Sequence, residues 1–147
     1  MRLLIQRVNK ASVTVENQTV GKIQRGLCVF VGIAADDTVA TLEKMADKLV
    51  QLRIFEDKDG KMNLSLLDIG GQALLVSQFT LLADCSKGRR PAFIGAGDPT
   101  KAKELYEHFC QIVADRKIQV QKGIFAADMT VHIENDGPCT FWLDSKK

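Results

Sequence analysis

Only two histidines, three prolines, one tryptophan and one tyrosine occur in this 147-residue chain, and the shortage of histidine narrows the chemistry most. Histidine is the usual general base near neutral pH, so a hydrolase built on a Ser-His-Asp relay finds few candidates here. His108 falls in a helical segment beside its apolar stripe. His132 alternates with Met129, Val131 and Ile133, sharing a strand face with Asp128, Thr130 and Glu134. Both read as ordinary, partly exposed histidines. The four cysteines, Cys28, Cys85, Cys110 and Cys139, include no C-x-x-C pair, which argues against zinc and, in a reducing compartment, against disulfides. Long apolar runs are also missing: MRLLIQRVNK is interrupted by Gln6 and Arg7 and lacks a small-residue cleavage site, so neither a signal peptide nor a membrane span is expected. The expectation is a cytoplasmic protein with no metal, no cofactor and no membrane contact.

What is present reads as one mixed α/β domain over residues 1–147. Hydrophobic residues make up 46% and charged residues 26%, which excludes a disordered or collagen-like chain. A chain of this length buries about two-thirds of the surface it exposes when unfolded. The net charge of +2 permits an anionic partner without demanding one. Basic residues cluster once, in SKGRRP, where Lys87, Arg89 and Arg90 sit beside Gly and Pro in a loop.

Arg2–Asn9, Ala11–Glu16 and Thr19–Gln24 read as a β-meander. GLCVFVGI, unbroken and apolar, reads as a central strand covered on both faces. From Thr38 the period changes: Val39, Leu42, Met45, Ala46, Leu49 and Leu52 share a helical face, with Asp36 and Asp37 as candidate N-caps. A second helix follows Asp98-Pro99, with Ala102, Leu105, Phe109, Ile112 and Val113 as its stripe. QALLVSQFTLLAD between the helices, and KIQVQ, DMTVHIE and PCTFWLD after them, complete the strands. Two stacked β-sheets with both helices covering one side are expected.

Two suggestive motifs fail. DKDGKMNLS has its glycine at the fourth position of a would-be calcium loop, not the sixth, and no glutamate at the required distance. GAGDPTK lacks both the Gly-Lys-Ser/Thr ending and the G-x-G-x-x-G spacing of phosphate loops.

Three features remain. In SQFT, polar Ser77, Gln78 and Thr80 interrupt an apolar strand on both faces; they mark either a strand end reaching solvent or a site at the strand's C-terminal end. Arg7 shares a face with Leu3 and Ile5, where a cation needs acceptors such as backbone carbonyls unless the strand end is exposed. Asn135-Asp136-Gly137-Pro138 between two strand-like stretches reads as a turn, with a cis bond before Pro138 as the sharper alternative.

Taken together, SQFTL and NDGPCT, with MRLLIQRVNKASVTV, LRIFEDKDGKMNLSL and KGRRPAF in this order, resemble the D-aminoacyl-tRNA deacylases over about Met1 to Trp142. The chain departs from the usual family pattern at Cys139, more often Val; at Ala126, often Gly; and at Arg89, more often Asn.

The resemblance implies a homodimer that hydrolyses the ester joining a D-amino acid, or glycine, to the 3′-terminal ribose of tRNA and rejects the L-aminoacyl ester. Its partners would be aminoacylated tRNA and a second copy of the chain, with the active site at the subunit interface and no DNA. Ser77, Gln78, Phe79 and Thr80 would form the catalytic pocket, with the Phe79 N–H as an oxyanion donor. Gly137 and Pro138 would reach into the partner's pocket and bind the substrate ammonium through their carbonyls, Arg7 bracing those carbonyls, with Met129 and Asn135 also on the substrate side. Water assisted by the ribose 2′-hydroxyl, or Thr80 as a covalent nucleophile, are the two implied routes. Lys87, Arg89 and Arg90 would meet tRNA phosphates.

Overall fold

The computed structural model describes all 147 residues. Its strands are β1 (Arg2–Val15), β2 (Gln18–Ile23), β3 (Gly26–Gly32), β4 (Phe55–Glu56), β5 (Met62–Leu64), β6 (Gln72–Ser77), β7 (Gln119–Lys122) and β8 (Thr130–Asp144); its α-helices are α1 (Val39–Gln51) and α2 (Pro99–Asp115). A mixed α/β architecture with both helices on one side is what the hydrophobic periods predict. The two layers are continuous, however. Six strands form one sheet, ordered β2-β1-β3-β6-β7 with β8 also on β1, while β4 and β5 make a separate hairpin.

The long strand β1 makes this continuity possible. β8 is its neighbour throughout; its other neighbour is β3 over Arg2–Val8 and β2 over Ala11–Val15. Register breaks around Val8 and at Val13 bend the strand, so its second half carries β2 over β6 and β7. A methyl placed on Gly21 of β2 falls 2.8 Å from the Lys122 carbonyl oxygen and 3.2 Å from the Leu74 side chain. The sheet therefore curls almost into a barrel.

Two cores result. Leu3, Ile5, Leu27, Val29, Val31, Ala73 and Leu75 face α1 and α2, whose Leu42, Met45, Leu49, Tyr106, Phe109 and Val113 are buried against them. Val8, Ala11, Val13, Ile23, Cys28, Leu74 and Val76 fill the inside of the curl. β3 supplies both clusters, as an unbroken apolar strand must. Each fully buried aliphatic side chain contributes about 1.5–3 kcal/mol of transfer free energy. Tyr106 enters this core because its hydroxyl donates to the Leu75 carbonyl at 2.8 Å.

Local chemistry departs from expectation at the start of α1. Thr38 is the N-cap, its hydroxyl accepting the Thr41 N–H and Thr41 returning the bond. Asp37 is buried instead, accepting the Met1 ammonium at 2.6 Å and the Ala34 N–H at 2.7 Å. Asp98 and Pro99 do open α2, the aspartate accepting from the N–H groups of Thr100 and Lys101. Asp57, the first residue of the failed calcium motif, accepts the N–H groups of Asp59 and Lys61 and the Asn63 amide, and so closes the β4–β5 hairpin.

Two further expectations change. Residues 77–84 do not continue as a strand: β6 stops at Ser77 and Phe79–Leu82 form one 3₁₀ turn. Nor is Asn135–Pro138 a turn between two strands. β8 runs through it, with Gln6 opposite Thr140 and Val8 opposite Asn135, so Asp136, Gly137, Pro138 and Cys139 bulge out opposite Arg7 alone. The Gly137–Pro138 peptide bond is cis. No helix is long and apolar enough to cross a membrane.

Candidate active site

β3 and β6 are parallel, as are β6 and β7. Open parallel sheets present their ligand sites beyond the carboxyl ends of their strands. A cavity of about 630 Å³ lies there, with Val31 and Ile33 at the end of β3, Val76 and Ser77 at the end of β6, and residues 125–129 after β7 in its wall. Phe79, Phe93 and Phe125 add aromatic surface, and Pro99 and Ala102 close it from α2. Most of the lining is apolar, as small-molecule sites usually are.

The 3₁₀ turn sets how SQFT meets this cavity. The Gln78 N–H donates to the Val31 carbonyl at 2.8 Å, extending the β3–β6 pairing by one residue before the backbone coils. Ser77, Gln78 and Phe79 line the cavity. Phe79 is 57% exposed, large for an aromatic, and its ring lies 5.0 Å from that of Phe93. As the first residue of the turn, Phe79 carries an N–H that a helix leaves without an internal acceptor. Thr80 is exposed and outside the lining; the Gln78 amide donates to its hydroxyl oxygen. Met129 also lines the cavity, and it fits because residue 123 is glycine: a methyl there would lie 2.6 Å from its sulfur.

The second motif lies elsewhere on the chain. Gly137 and Pro138 are exposed and do not line the cavity. Arg7, 5% exposed, sits beneath them. Its Nη1 donates to the Ile54 carbonyl at 2.7 Å, and its Nε is 3.0 Å from Asp136 Oδ2 without hydrogen-bond alignment. Glu56 approaches Nη2 at 4.0 Å. The guanidinium thus braces the bulge through the Asp136 carboxylate and not through hydrogen bonds to the Gly137 or Pro138 carbonyls. Asn135 takes a similar part. Its amide donates to the carbonyls of Arg7 and Cys139, at 3.0 and 3.1 Å, and ties the neck of the bulge together. Both its N–H bonds are spent there, so the amide nitrogen fixes the shape of the bulge. Cys139 is buried behind the bulge, and burial pushes its thiol pKa up.

Lys87, Arg89 and Arg90 are exposed on the segment between the 3₁₀ turn and α2, and none of them is ion-paired. Asp84 and Ala92 exchange backbone hydrogen bonds of 2.7 and 3.0 Å across its base. The same segment goes on to supply Phe93, Ala96 and Gly97 to the cavity wall. Sequence reasoning missed Phe93, Phe125 and residues 126–128 as lining. The small residues of GAG and FAAD, flanked by phenylalanine in loops, are the signal that was there. Ala126 stands at φ +63°, a conformation glycine adopts freely and alanine does not. His108 and His132 are exposed and outside the cavity.

Comparison with known proteins is consistent across sequence and structure. The sequence profile of the family described as D-Tyr-tRNA(Tyr) deacylase matches residues 4–144. A D-aminoacyl-tRNA deacylase of Fervidobacterium nodosum is 53% identical over 147 residues, covering 100% of this chain and 99% of that protein. One from Thermotoga petrophila is 54% identical with the same coverage. Among solved structures, a c-Myc DNA unwinding element binding protein superposes with a TM-score of 0.93 at 40% identity, over 98% of both chains. A structure described as a probable eukaryotic D-amino acid tRNA deacylase shares the fold, with a TM-score of 0.86 at 21% identity over 97% of both.

Proposed function

This chain belongs to the D-Tyr-tRNA(Tyr) deacylase family, and from that premise we propose how its residues divide the work. The reaction is hydrolysis of the ester between a D-amino acid and the 3′-terminal ribose of tRNA. Water adds to the ester carbonyl, the bond to the ribose 3′-oxygen breaks, and that oxygen leaves with a proton. The ester is already activated, so orientation and stabilisation of the oxyanion carry most of the catalysis. The Phe79 N–H, at the start of the 3₁₀ turn, faces the developing negative charge. The ribose 2′-hydroxyl helps water. Thr80 is the weaker nucleophile candidate because its polar neighbour is the Gln78 amide, which cannot take a proton from it.

One observation carries this reading: Ser77, Gln78 and Phe79 line the cavity while Gly137 and Pro138 stand exposed away from it. The two motifs meet only if a second copy supplies the bulge. A homodimer supports that arrangement, and the sheet offers a face for it. Leu4 is the cross-strand partner of both Trp142 and Phe30, a row of apolar side chains pointing away from the helices, with Trp142 47% exposed. In the dimer, the Gly137 and Pro138 carbonyls of one protomer accept from the substrate ammonium in the other's pocket. An L side chain then runs into main chain, a D side chain leaves toward solvent, and glycine has nothing to exclude. Lys87, Arg89 and Arg90 bind tRNA phosphates beside the cavity mouth, in the cytoplasm.

Deacylation of matched D-tyrosyl-, L-tyrosyl- and glycyl-tRNA tests this function. Turnover of the D and glycyl esters with the L ester spared is expected; equal rates on the two tyrosyl enantiomers refute it. Duplex DNA added as competitor is expected to leave the rate unchanged at physiological salt.

A further inference from the structure

Asp128 is the only charged residue in the cavity lining. It lies in the loop between β7 and β8, exposed, next to the pocket residue Met129. Its carboxylate has no hydrogen-bond or ion-pair partner, and this sets it apart. Asp36, Asp37, Asp47, Asp57, Asp68, Asp84, Asp98, Asp115, Asp136 and Asp144 each have one. The other aspartate without a partner, Asp59, projects from the β4–β5 hairpin, far in sequence from any lining residue.

A free carboxylate is an odd choice for a pocket that must admit the end of a polyanion, because it repels the phosphates that Lys87, Arg89 and Arg90 attract. It is a good choice if something cationic arrives there. The acylated end of the substrate carries one cation, the α-ammonium of the amino acid. A single negative charge at the exposed edge of a largely apolar cavity, with no protein cation to neutralise it, attracts that group through a partly screened Coulomb interaction.

We propose that Asp128 is a specificity-determining residue that supplies the countercharge for the substrate's α-ammonium, so that the site favours aminoacyl esters over esters of neutral acids. The inference rests on the deacylase reading and deepens it. The Gly137 and Pro138 carbonyls offer directional acceptors without net charge; Asp128 adds the net charge that distinguishes an ammonium from a hydroxyl of the same size.

The test compares two substrates that differ at one atom: D-tyrosyl-tRNA and the tRNA ester of the corresponding D-α-hydroxy acid, in which a hydroxyl replaces the ammonium. Asp128→Asn is expected to lower kcat/KM about five-fold on the aminoacyl ester, an effect typical of a partly screened charge pair, and to leave the hydroxyacyl ester within two-fold. Asp128→Glu is expected to recover most of the loss. An equal loss on both substrates marks a structural role and overturns the proposal. An equal gain on both marks simple repulsion of RNA and overturns it as well, as does no change on either. If the unsubstituted protein cleaves neither ester, the deacylase reading itself fails; cleavage of both with an unmoved ratio sinks Asp128 alone.

Discussion

Replacing Gly137 by alanine is expected to damage catalysis far more than its exposed position suggests. Gly137 sits at φ +123°, where an L side chain is strained. An added methyl group would lie 3.1 Å from Arg7 Nη2, 3.1 Å from the Cys139 nitrogen and 3.2 Å from Cys139 Cβ. The last two belong to the bulge itself, so the guanidinium cannot relieve the crowding by moving alone. A residue forced into such a region costs about 1–3 kcal/mol, and at this chain length each kcal/mol lowers Tm by about 2–4 °C. If the bulge relaxes by up to an ångström, groups aimed at a substrate lose their alignment, a displacement that costs on the order of 100-fold in rate. Single-turnover deacylation of D-tyrosyl-tRNA by Gly137→Ala, beside a thermal melt and a tRNA-binding titration, separates the effects. The expected result is a rate about 100-fold down, a Tm lowered by a few degrees and unchanged tRNA affinity. Unchanged rate and Tm would refute the argument that this backbone has no room for a side chain.

Three further outcomes are expected. Thr80→Ala keeps turnover within about ten-fold, whereas a tRNA ending in 2′-deoxyribose slows by about 100-fold or more, the usual scale of proton-transfer assistance; the reverse pattern identifies Thr80 as the nucleophile. Alanine at Lys87, Arg89 and Arg90 together weakens tRNA binding and flattens the plot of log affinity against log salt by about 0.7–0.9 for each phosphate no longer neutralised, and an unchanged slope removes this loop from the interface. Ala126→Gly relieves a left-handed residue worth about 1–2 kcal/mol, offset by about 0.5–1 kcal/mol of extra freedom in the unfolded chain. The denaturant midpoint is therefore expected to rise at constant m-value, and a fall contradicts the account of that position.

Much of this fold was legible in the chain because it rests on periods. The apolar stripes of α1 and α2, the Asp98-Pro99 start and the two-sided burial of β3 all follow from residue spacing. What escaped depends on partners distant in sequence. Whether NDGP turns the chain or bulges out of a strand is decided by register against β1, and nothing near Pro138 records that Gln6 meets Thr140 while Val8 meets Asn135. SQFTLL reads as strand because one 3₁₀ turn is too short to have a period. The N-cap went to Thr38 because Asp37 is held by the Met1 ammonium across the fold. Of the residues singled out in the chain, Ser77, Gln78, Phe79 and Met129 line the cavity and Thr80 does not. Asn135 and Arg7 hold the bulge through contacts with Cys139, Ile54 and Asp136, none of which the local sequence around either residue records.

The central claim is that each cavity is completed by the bulge of a neighbouring protomer, and mixed dimers test it most directly. One protomer carries Gly137→Ala, and the other carries Ala127→Trp to fill the cavity; each homodimer is expected to be inactive. Co-expression in equal amounts makes half the dimers mixed, each with one intact cavity facing one intact bulge, so about one quarter of the unsubstituted activity returns. Mixed dimers as inactive as their parents would contradict the claim.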